Sequence, residues 1–435
     1  MEAIPKGEHI DGVYRLKIIL SVFECNPYKG SDSYVGWAYT VNMARYHEVF
    51  ALTRVENRED IERYLSENCD AVLKQIHFIY IPRSKLLAEY IYKLNRYAGF
   101  LGSYFVWQRS ALRAANKIIS EHDVALCHHV SIADFRCPGY LWKTGKPFVY
   151  GPVGGAQEIP PCLSPYAKDH EKAERVRSLM NRLCPSFPGY RRALRHASII
   201  YSSNDETTEC LSAKMRPEDR NKLIQMTELC VDEQYVCQRE NMQKPPSDKV
   251  HIVVSGRLIY RKGVALLLDA VRHIQTEQPY VVDIYGEGDQ KEKLLKQAQE
   301  NSITKLVKFH GKVSFEEMQC RYREADIYVL PSLRETTGTA VFEAMANKLP
   351  VVALKQNGVK HIVEPDMGVL VDINSLEQVQ NDLAAALQRL IENPKLRRDM
   401  GQAGYLKIRE QFTWSGRVQA MNDVYERICR KEISF

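Results

Sequence analysis

Three times between His251 and Ala346 an apolar run stops and a glycine-bearing loop follows. The segments are HIVVSGRLIYRKGVALLLDAV, VVDIYGEGD and IYVLPSLRETTGTAVFEAMA. In the first and the last, helical spacing of apolar residues resumes directly after the loop. Strand, tight glycine loop and helix repeated in this way predict an open α/β sheet of parallel strands. In such sheets, ligands bind on the loops at the carboxyl ends of the strands.

The segment PSLRETTGTAVFEAMANKLPVV carries the most chemistry. The strand Ile327 to Leu330 ends at Pro331, a turn follows at Gly338, and Val341, Phe342, Ala344, Met345 and Ala346 give an apolar helical face. The first N–H groups of a helix have no partners within it, and its dipole favours an anion there. The amides of Gly338, Thr339 and Ala340 are therefore expected to hold a diphosphate. Glu343, expected in the first helical turn, repels phosphate but suits a ribose diol. Glu335, eight positions earlier, is the second carboxylate of the pair. The same pattern also fits an amphipathic helix with two surface acids. On the loop after the strand at His251, Gly256 opens the turn. Arg257 offers a planar fork for phosphate and Lys262 a mobile charge. Gly286 and Gly288 form the turn of the second segment.

These segments, with KFHGKVSFEEM and LPVVALKQNGVKHIVE, stand in the order in which they occur in the retaining glycosyltransferases of family 4. The chain resembles that family over nearly its whole length and most specifically over about 250–372, where the Glu-x7-Glu spacing is the family's hallmark. LKIILSVFECNPYKGSDSYVGWAYTVNMARYHEVFALTR looks like its opening strand, glycine loop, helix and second strand. FVYGPVGGAQEIP resembles a subgroup with GPVGG in the first domain. Two positions depart: Thr336 and Thr337 precede Gly338 where Phe and Gly are frequent, and Asp32 replaces the usual Glu of the glycine loop. The resemblance implies an α/β, GT-B fold of two Rossmann-like domains facing each other across a cleft. It also implies a sugar moved with retention from a nucleotide diphosphate, UDP by expectation, to an acceptor hydroxyl in glycan or polysaccharide biosynthesis. Glu335 then holds donor-sugar hydroxyls and Glu343 the ribose. Arg257 and Lys262 stabilise the leaving diphosphate, and Gly30, Ser31, Gly256 and Gly286 line the donor site. A family histidine reaching the donor sugar matches His129, which ends the strand DVALCHH, whereas His128 points to the opposite side. A structural histidine is the alternative. Two other functions stay open: a sugar-nucleotide epimerase on this fold, or a non-enzymatic nucleotide-sugar-binding protein.

The length of 435 residues suits two domains. The polar, proline-bearing QKPPSDK (243–249) marks the boundary. It gives an acceptor-side domain over 14–242, a nucleotide-sugar-binding domain over 249–412, and a helix over 413–435 that crosses back. Eleven cysteines without a CxxC pair point to reduced thiols and a cytoplasmic location. No leader is expected, because the first apolar run (Leu16 to Phe23) leads into a glycine loop as a first strand does. No carboxylate pair of DxD type and no Cys/His cluster occurs, so no metal and no cofactor beyond the nucleotide-sugar is expected.

The stretch Ile79 to Ile119 sets Arg83, Lys85, Lys93, Arg96, Arg109, Arg113 and Lys117 against Glu89 alone, and interleaves eight aromatics. Such a segment suits an anionic membrane surface, and with it peripheral attachment to the inner membrane face and a lipid-linked acceptor. It suits equally a buried aromatic face with solvated cations. No nucleic-acid module accompanies the charge, so no nucleic acid is expected.

Overall fold

The computed structural model describes residues 9–10, 13–30, 32–83, 96–241 and 244–430. They form two compact units. One comprises Met1–Ala156, Met180–Glu228 and Ser415–Phe435; the other comprises Gln157–Leu179 and Leu229–Trp414. Ahead of the first sheet, β1 (His9–Ile10) and β2 (Val13–Tyr14) pair antiparallel.

The first unit holds seven strands: β3 (Lys17–Val22), β4 (Glu48–Arg54), β5 (Ile76–Ile81), β6 (Leu126–Ser131), β7 (Phe148–Val153), β8 (Ala197–Ser202) and β9 (Leu223–Gln225). Their order is β5-β4-β3-β6-β7-β8-β9, and every pairing is parallel. The 26-residue helix Arg96–Glu121 lays Tyr104, Trp107, Ala111 and Ala115 against Ile19, Phe50 and Leu52 of this sheet.

The second unit holds β10 (Val250–Ser255), β11 (Tyr280–Tyr285), β12 (Val307–Gly311), β13 (Ile327–Leu330), β14 (Val351–Leu354) and β15 (Gly368–Val371). Their order is β12-β11-β10-β13-β14-β15, again all parallel. Alternation along the strands sends Ile252, Val254, Ile327, Val329, Val352 and Leu354 to one core. Val253, Tyr328, Leu330, Val351 and Ala353 go to the core on the other face. Strands such as β13 and β14, apolar at every position, are what a parallel sheet covered on both faces requires. The register Ile252↔Ile327 and Val253↔Tyr328 brings the loop after β10 beside the loop after β13.

The chain divides elsewhere than at 243–249. Val231 N donates to Phe412 O at 2.8 Å and Val231 O accepts from Trp414 N at 3.2 Å, which ties 229 onward to the second unit. Gln157–Leu179 also groups there: Leu163 enters its core, and Tyr166 Oη donates to Asp269 Oδ2 at 2.7 Å. Composition marked the polar linker, whereas these ties form between residues remote in sequence. The helix Trp414–Cys429 groups from Ser415 with the first unit. There it buries Met421 and Tyr425, and Arg417 donates to Thr227 O at 2.6 Å.

Of the basic, aromatic stretch, Lys85, Glu89, Tyr90, Tyr92 and Lys93 lie outside the described residues. In the described part Tyr104 and Trp107 are fully buried, and Arg83 pairs with Glu56 at 2.5 Å. Arg109, Arg113 and Lys117 are exposed. Tyr104 and Trp107 therefore serve the core, because their apolar area is satisfied against Phe23 at ring separations of 5.3 and 5.0 Å.

Gly263 carries the close approach of the two loops. Its φ is +69°, and a Cβ there would lie 1.9 Å from the carbonyl oxygen of Pro331. Gly263→Ala should therefore cost on the order of 3 kcal/mol, from backbone strain and displacement of a neighbouring peptide. Gly30→Ala, with nothing within 4 Å, should be close to neutral. Thermal unfolding of the two variants checks this; equal melting temperatures would refute the packing argument.

Candidate functional site

Four loops leave the carboxyl ends of β10, β11, β13 and β14, and they converge because those strands are parallel neighbours. Gly256 (φ +137°) and Gly286 (φ +151°) stack so closely that a Cβ on Gly286 would lie 1.8 Å from Gly256 O. Gly256 N donates to Tyr285 O at 3.0 Å. Glycine alone permits this backbone-to-backbone contact.

Glu335 sits between the β10 and β13 loops. Its carboxylate forms an ion pair with Lys262, has Arg261 at 3.9 Å, and accepts from Ser332 Oγ at 3.4 Å. Its backbone N donates to Asn357 Oδ1 at 3.0 Å. Burial pushes the Glu335 carboxyl up, but the charges of Lys262 and Arg261 outweigh it and hold the group below its ordinary value. Arg257 is exposed, and no ion pair engages it among the described residues.

The loop carrying Glu335 is clamped from outside its own segment. Gln356 Nε2 donates to Ser332 O and Leu333 O at 2.9 and 3.1 Å. Gly358 N donates to Thr336 O at 2.9 Å, and Gln157 Nε2 donates to Thr336 Oγ1 at 2.9 Å. Arg334 Nη2 meets Glu174 at 2.8 Å, and Tyr260 Oη donates to the same carboxylate oxygen at 2.5 Å. Arg261, Asn357, Gln157 and Glu174 were not singled out from the sequence. Arg261 was discoverable beside Lys262, and Asn357 by its NG turn. Gln157 and Glu174 carry no local signal.

The helix after the loop runs Thr339–Ala346, with Gly338 (φ +80°) as its N-cap. The amides of Thr339 and Ala340 lie in its first turn, where no carbonyl precedes them in the helix. Val341 N already donates to Gly338 O at 2.8 Å. Glu343 is the fifth helical residue, so it stands in the second turn and not in the first. The reason is that the helix begins at Thr339, immediately after the glycine. Its carboxyl lies against Gln319 Nε2 (3.5 Å) and Tyr322. Burial raises it to about 7, against the lowering influence of Gln319, Tyr322 and the charge of Arg239.

Two expected donor-site positions and His129 lie in the first unit. Gly30 is exposed, with Asp32 starting the helix Asp32–Met43, and Ser31 lies outside the described residues. His129 was expected to end its strand facing open space. The strand continues to Ser131, and the ring is fully enclosed. It stands 5.6 Å from Tyr150 between ring centres, and Nε2 lies 3.4 Å from Ile132 O. Its Nδ1 is buried without a hydrogen-bond partner among the described residues. Burial lowers His129 to about 4, so the ring is neutral at physiological pH. His128 is equally buried, bonded to Tyr425 Oη (2.5 Å) and Gly151 O (2.6 Å). Among the described residues no group of three or more His, Cys, Asp or Glu side chains is placed to hold a metal ion.

Residues 238–407 match the family model described as Glycosyl transferases group 1. A D-inositol 3-phosphate glycosyltransferase of Corynebacterium jeikeium is 32% identical over 182 residues, which are 40% of this chain and 42% of that protein. The chain spans about half the length of the curated relatives it matches. Over whole chains, the sucrose-phosphate synthase structure from Thermosynechococcus elongatus has a TM-score of 0.62 at 18% identity, covering 95% of this chain and 99% of that one. HepE of Anabaena in complex with UDP gives 0.61 at 14% identity, with 94% and 99% covered. Residues 238–407, within the second unit, thus match a glycosyltransferase group 1 domain, and the two parallel Rossmann-like sheets with the whole-chain likeness to these structures show a GT-B fold.

Proposed function

We propose that this chain transfers a sugar, with retention, from a UDP-linked donor to an acceptor hydroxyl. The observation that carries the reading is Glu335, paired with Lys262 beside Arg261 and next to the N-terminus of the helix that bears Glu343. The diphosphate would lie on the amides of Thr339 and Ala340, with Arg257 and Lys262 as counter-charges. Lys262 would then exchange Glu335 for a phosphate oxygen, and the freed carboxylate oxygens would accept from donor-sugar hydroxyls. Charge grows on the leaving diphosphate as the glycosidic bond breaks, so fixed cations favour the transition state. Attack from the same face, with the leaving phosphate taking the acceptor's proton, retains the configuration without a protein nucleophile. The group 1 domain does not favour the epimerase or the non-enzymatic alternative.

Arg257→Ala and Lys262→Ala should each lower turnover about 100-fold, or about 3 kcal/mol in the barrier, while the fold persists. Turnover should also persist in a strong chelator. Near-normal rates in both variants, or loss on chelation restored by magnesium or manganese, would sink the cation-clamp account.

Glu343 gives a pH test. With its carboxyl at about 7, it is largely protonated at pH 6 and largely ionised at pH 8. Only the carboxylate presents both oxygens to a ribose diol. UDP affinity of the native protein should therefore gain on that of Glu343→Gln as pH rises from 6 to 8. A constant ratio between the two proteins across that range would remove Glu343 from ribose binding.

We further propose a glycan or lipid-linked acceptor, with the exposed cations Arg109, Arg113 and Lys117 available to an anionic membrane surface. No helix among the described residues is long and apolar enough to cross a membrane. The protein should sediment with anionic liposomes at low salt and release at high salt. Glutamate at all three positions should abolish sedimentation; indifference of the native protein to such liposomes would favour a soluble acceptor.

A further inference from the structure

The amino ends of the second sheet hold a pocket that the donor reading does not use. Its cavity is about 400 Å³, within the range of small-molecule sites. It is lined by Arg239, Lys244, Arg323, Lys348, Arg397 and Arg398. Among the described residues Asp326 is the only carboxylate in the lining. It immediately precedes β13, Lys244 precedes β10, and Lys348 precedes β14. The Glu335 loops leave the opposite ends of the same strands. Strands of four to six residues separate the two places by roughly 13–20 Å.

Asp326 is already shared. It forms an ion pair with Lys244 and has Arg397 Nε at 3.7 Å. No carboxylate pairs with Arg239, Arg323, Lys348 or Arg398 among the described residues. Arg239 instead donates to Asn347 Oδ1 (3.1 Å) and Tyr235 O (2.7 Å), and it is only 7% exposed. Lys348 donates to Glu240 O at 2.5 Å, and Arg323 lies 2.7 Å from Cys320 Sγ. The 18-residue helix Pro394–Gln411 begins at the pocket, and Pro394 and Gln402 also line it. It adds the positive end of a dipole to the six side chains. Like charges crowded into a concave, partly dry site repel one another unless an anion enters.

We propose that this pocket binds a compact phosphate-bearing anion, at a site separate from the donor site. The guanidinium groups match phosphate oxygens bidentately, and four cations without carboxylate partners suit a ligand with more than one negative charge, such as a diphosphate or a bisphosphorylated sugar. The pocket also touches the proposed donor site mechanically. Arg239 bonds Asn347, the C-cap of the helix that carries Glu343, and Asn347 Nδ2 donates to Tyr235 Oη, which bonds Gln319 beside Glu343. An anion that draws Arg239 away from Asn347 acts on that helix from its far end.

The probe is inorganic pyrophosphate, measured by equilibrium dialysis on the full chain in the presence of saturating UDP. One equivalent should remain bound. In an Arg323→Ser/Arg398→Ser variant its affinity should fall about tenfold or more, the loss of one charged contact or more, with UDP affinity and the far-ultraviolet spectrum unchanged. Arg257→Ala/Lys262→Ala, by contrast, should leave this equivalent intact. A parallel arm uses phosphatidylcholine vesicles with and without a phosphoinositide. Vesicle binding that the Arg323/Arg398 variant loses, without pyrophosphate binding, identifies a lipid headgroup as the source of the phosphate. Pyrophosphate and vesicle binding that are both absent, or both indifferent to Arg323 and Arg398, would overturn the proposal. Failure of UDP to bind, with pyrophosphate still held through Arg323 and Arg398, would count against the donor reading alone.

Discussion

The second unit's chemistry depends on the ion pair between Lys262 and Glu335. A carboxylate enclosed by its own fold is costly unless a cation and donors replace its water. Lys262 and Arg261 supply the charge, Ser332 a hydroxyl, and the backbone of the Glu335 loop is fixed by Asn357, Gln356 and Gly358. The pair also joins two loops about 70 positions apart in the chain, which Gly263 allows to approach by having no Cβ to meet Pro331. Removing Glu335 leaves Lys262 without its carboxylate, and removing Lys262 leaves Glu335 only Arg261 at 3.9 Å, so sequence changes at these positions are coupled.

Two glutamates eight residues apart meet opposite fates for an identifiable reason. Glu335 faces two cations, and burial is outweighed. Glu343 faces an amide, a phenol and a more distant guanidinium, and burial prevails. Neither carboxylate's behaviour belongs to the Glu-x7-Glu spacing itself. It belongs to what the β10 loop on one side, and the helix Phe315–Glu324 on the other, bring within reach. A pair with such divided ionisation can hold two different hydroxyl-bearing groups while only one of them carries a firm charge at neutral pH.

Much of the fold was legible because its signals are local. Four consecutive apolar residues from Ile327 to Leu330 became a strand with those bounds, and Gly338 became the residue before a helix. The spacing of the Glu343 helix was also legible, but its start was misjudged by enough to place Glu343 one turn too early. His129 illustrates a different failure. Strand alternation says which side a residue faces, not whether that side is open, and here Tyr104, Tyr150 and Ile132 close over the ring. The aromatics near Trp107 gave no sign by themselves of preferring the core over a membrane, since an apolar face is satisfied by either.

By itself the sequence determined two things: the alternation of buried strands with helices, and the glycines and charged residues that sit on the loops between them. Both follow from periodicity and steric demands that act over a few residues. Only the tertiary structure decided where the chain divides, since Leu163 packs against, and Tyr166 and Val231 bond to, partners far along the chain. It also decided which cation pairs with which glutamate, and that six cations scattered from Arg239 to Arg398 share one pocket with a single carboxylate. The reason is common to all of these. Parallel strands return the chain to the same edge of a sheet after each crossover, so charges distant in sequence become neighbours whose energies no local pattern records.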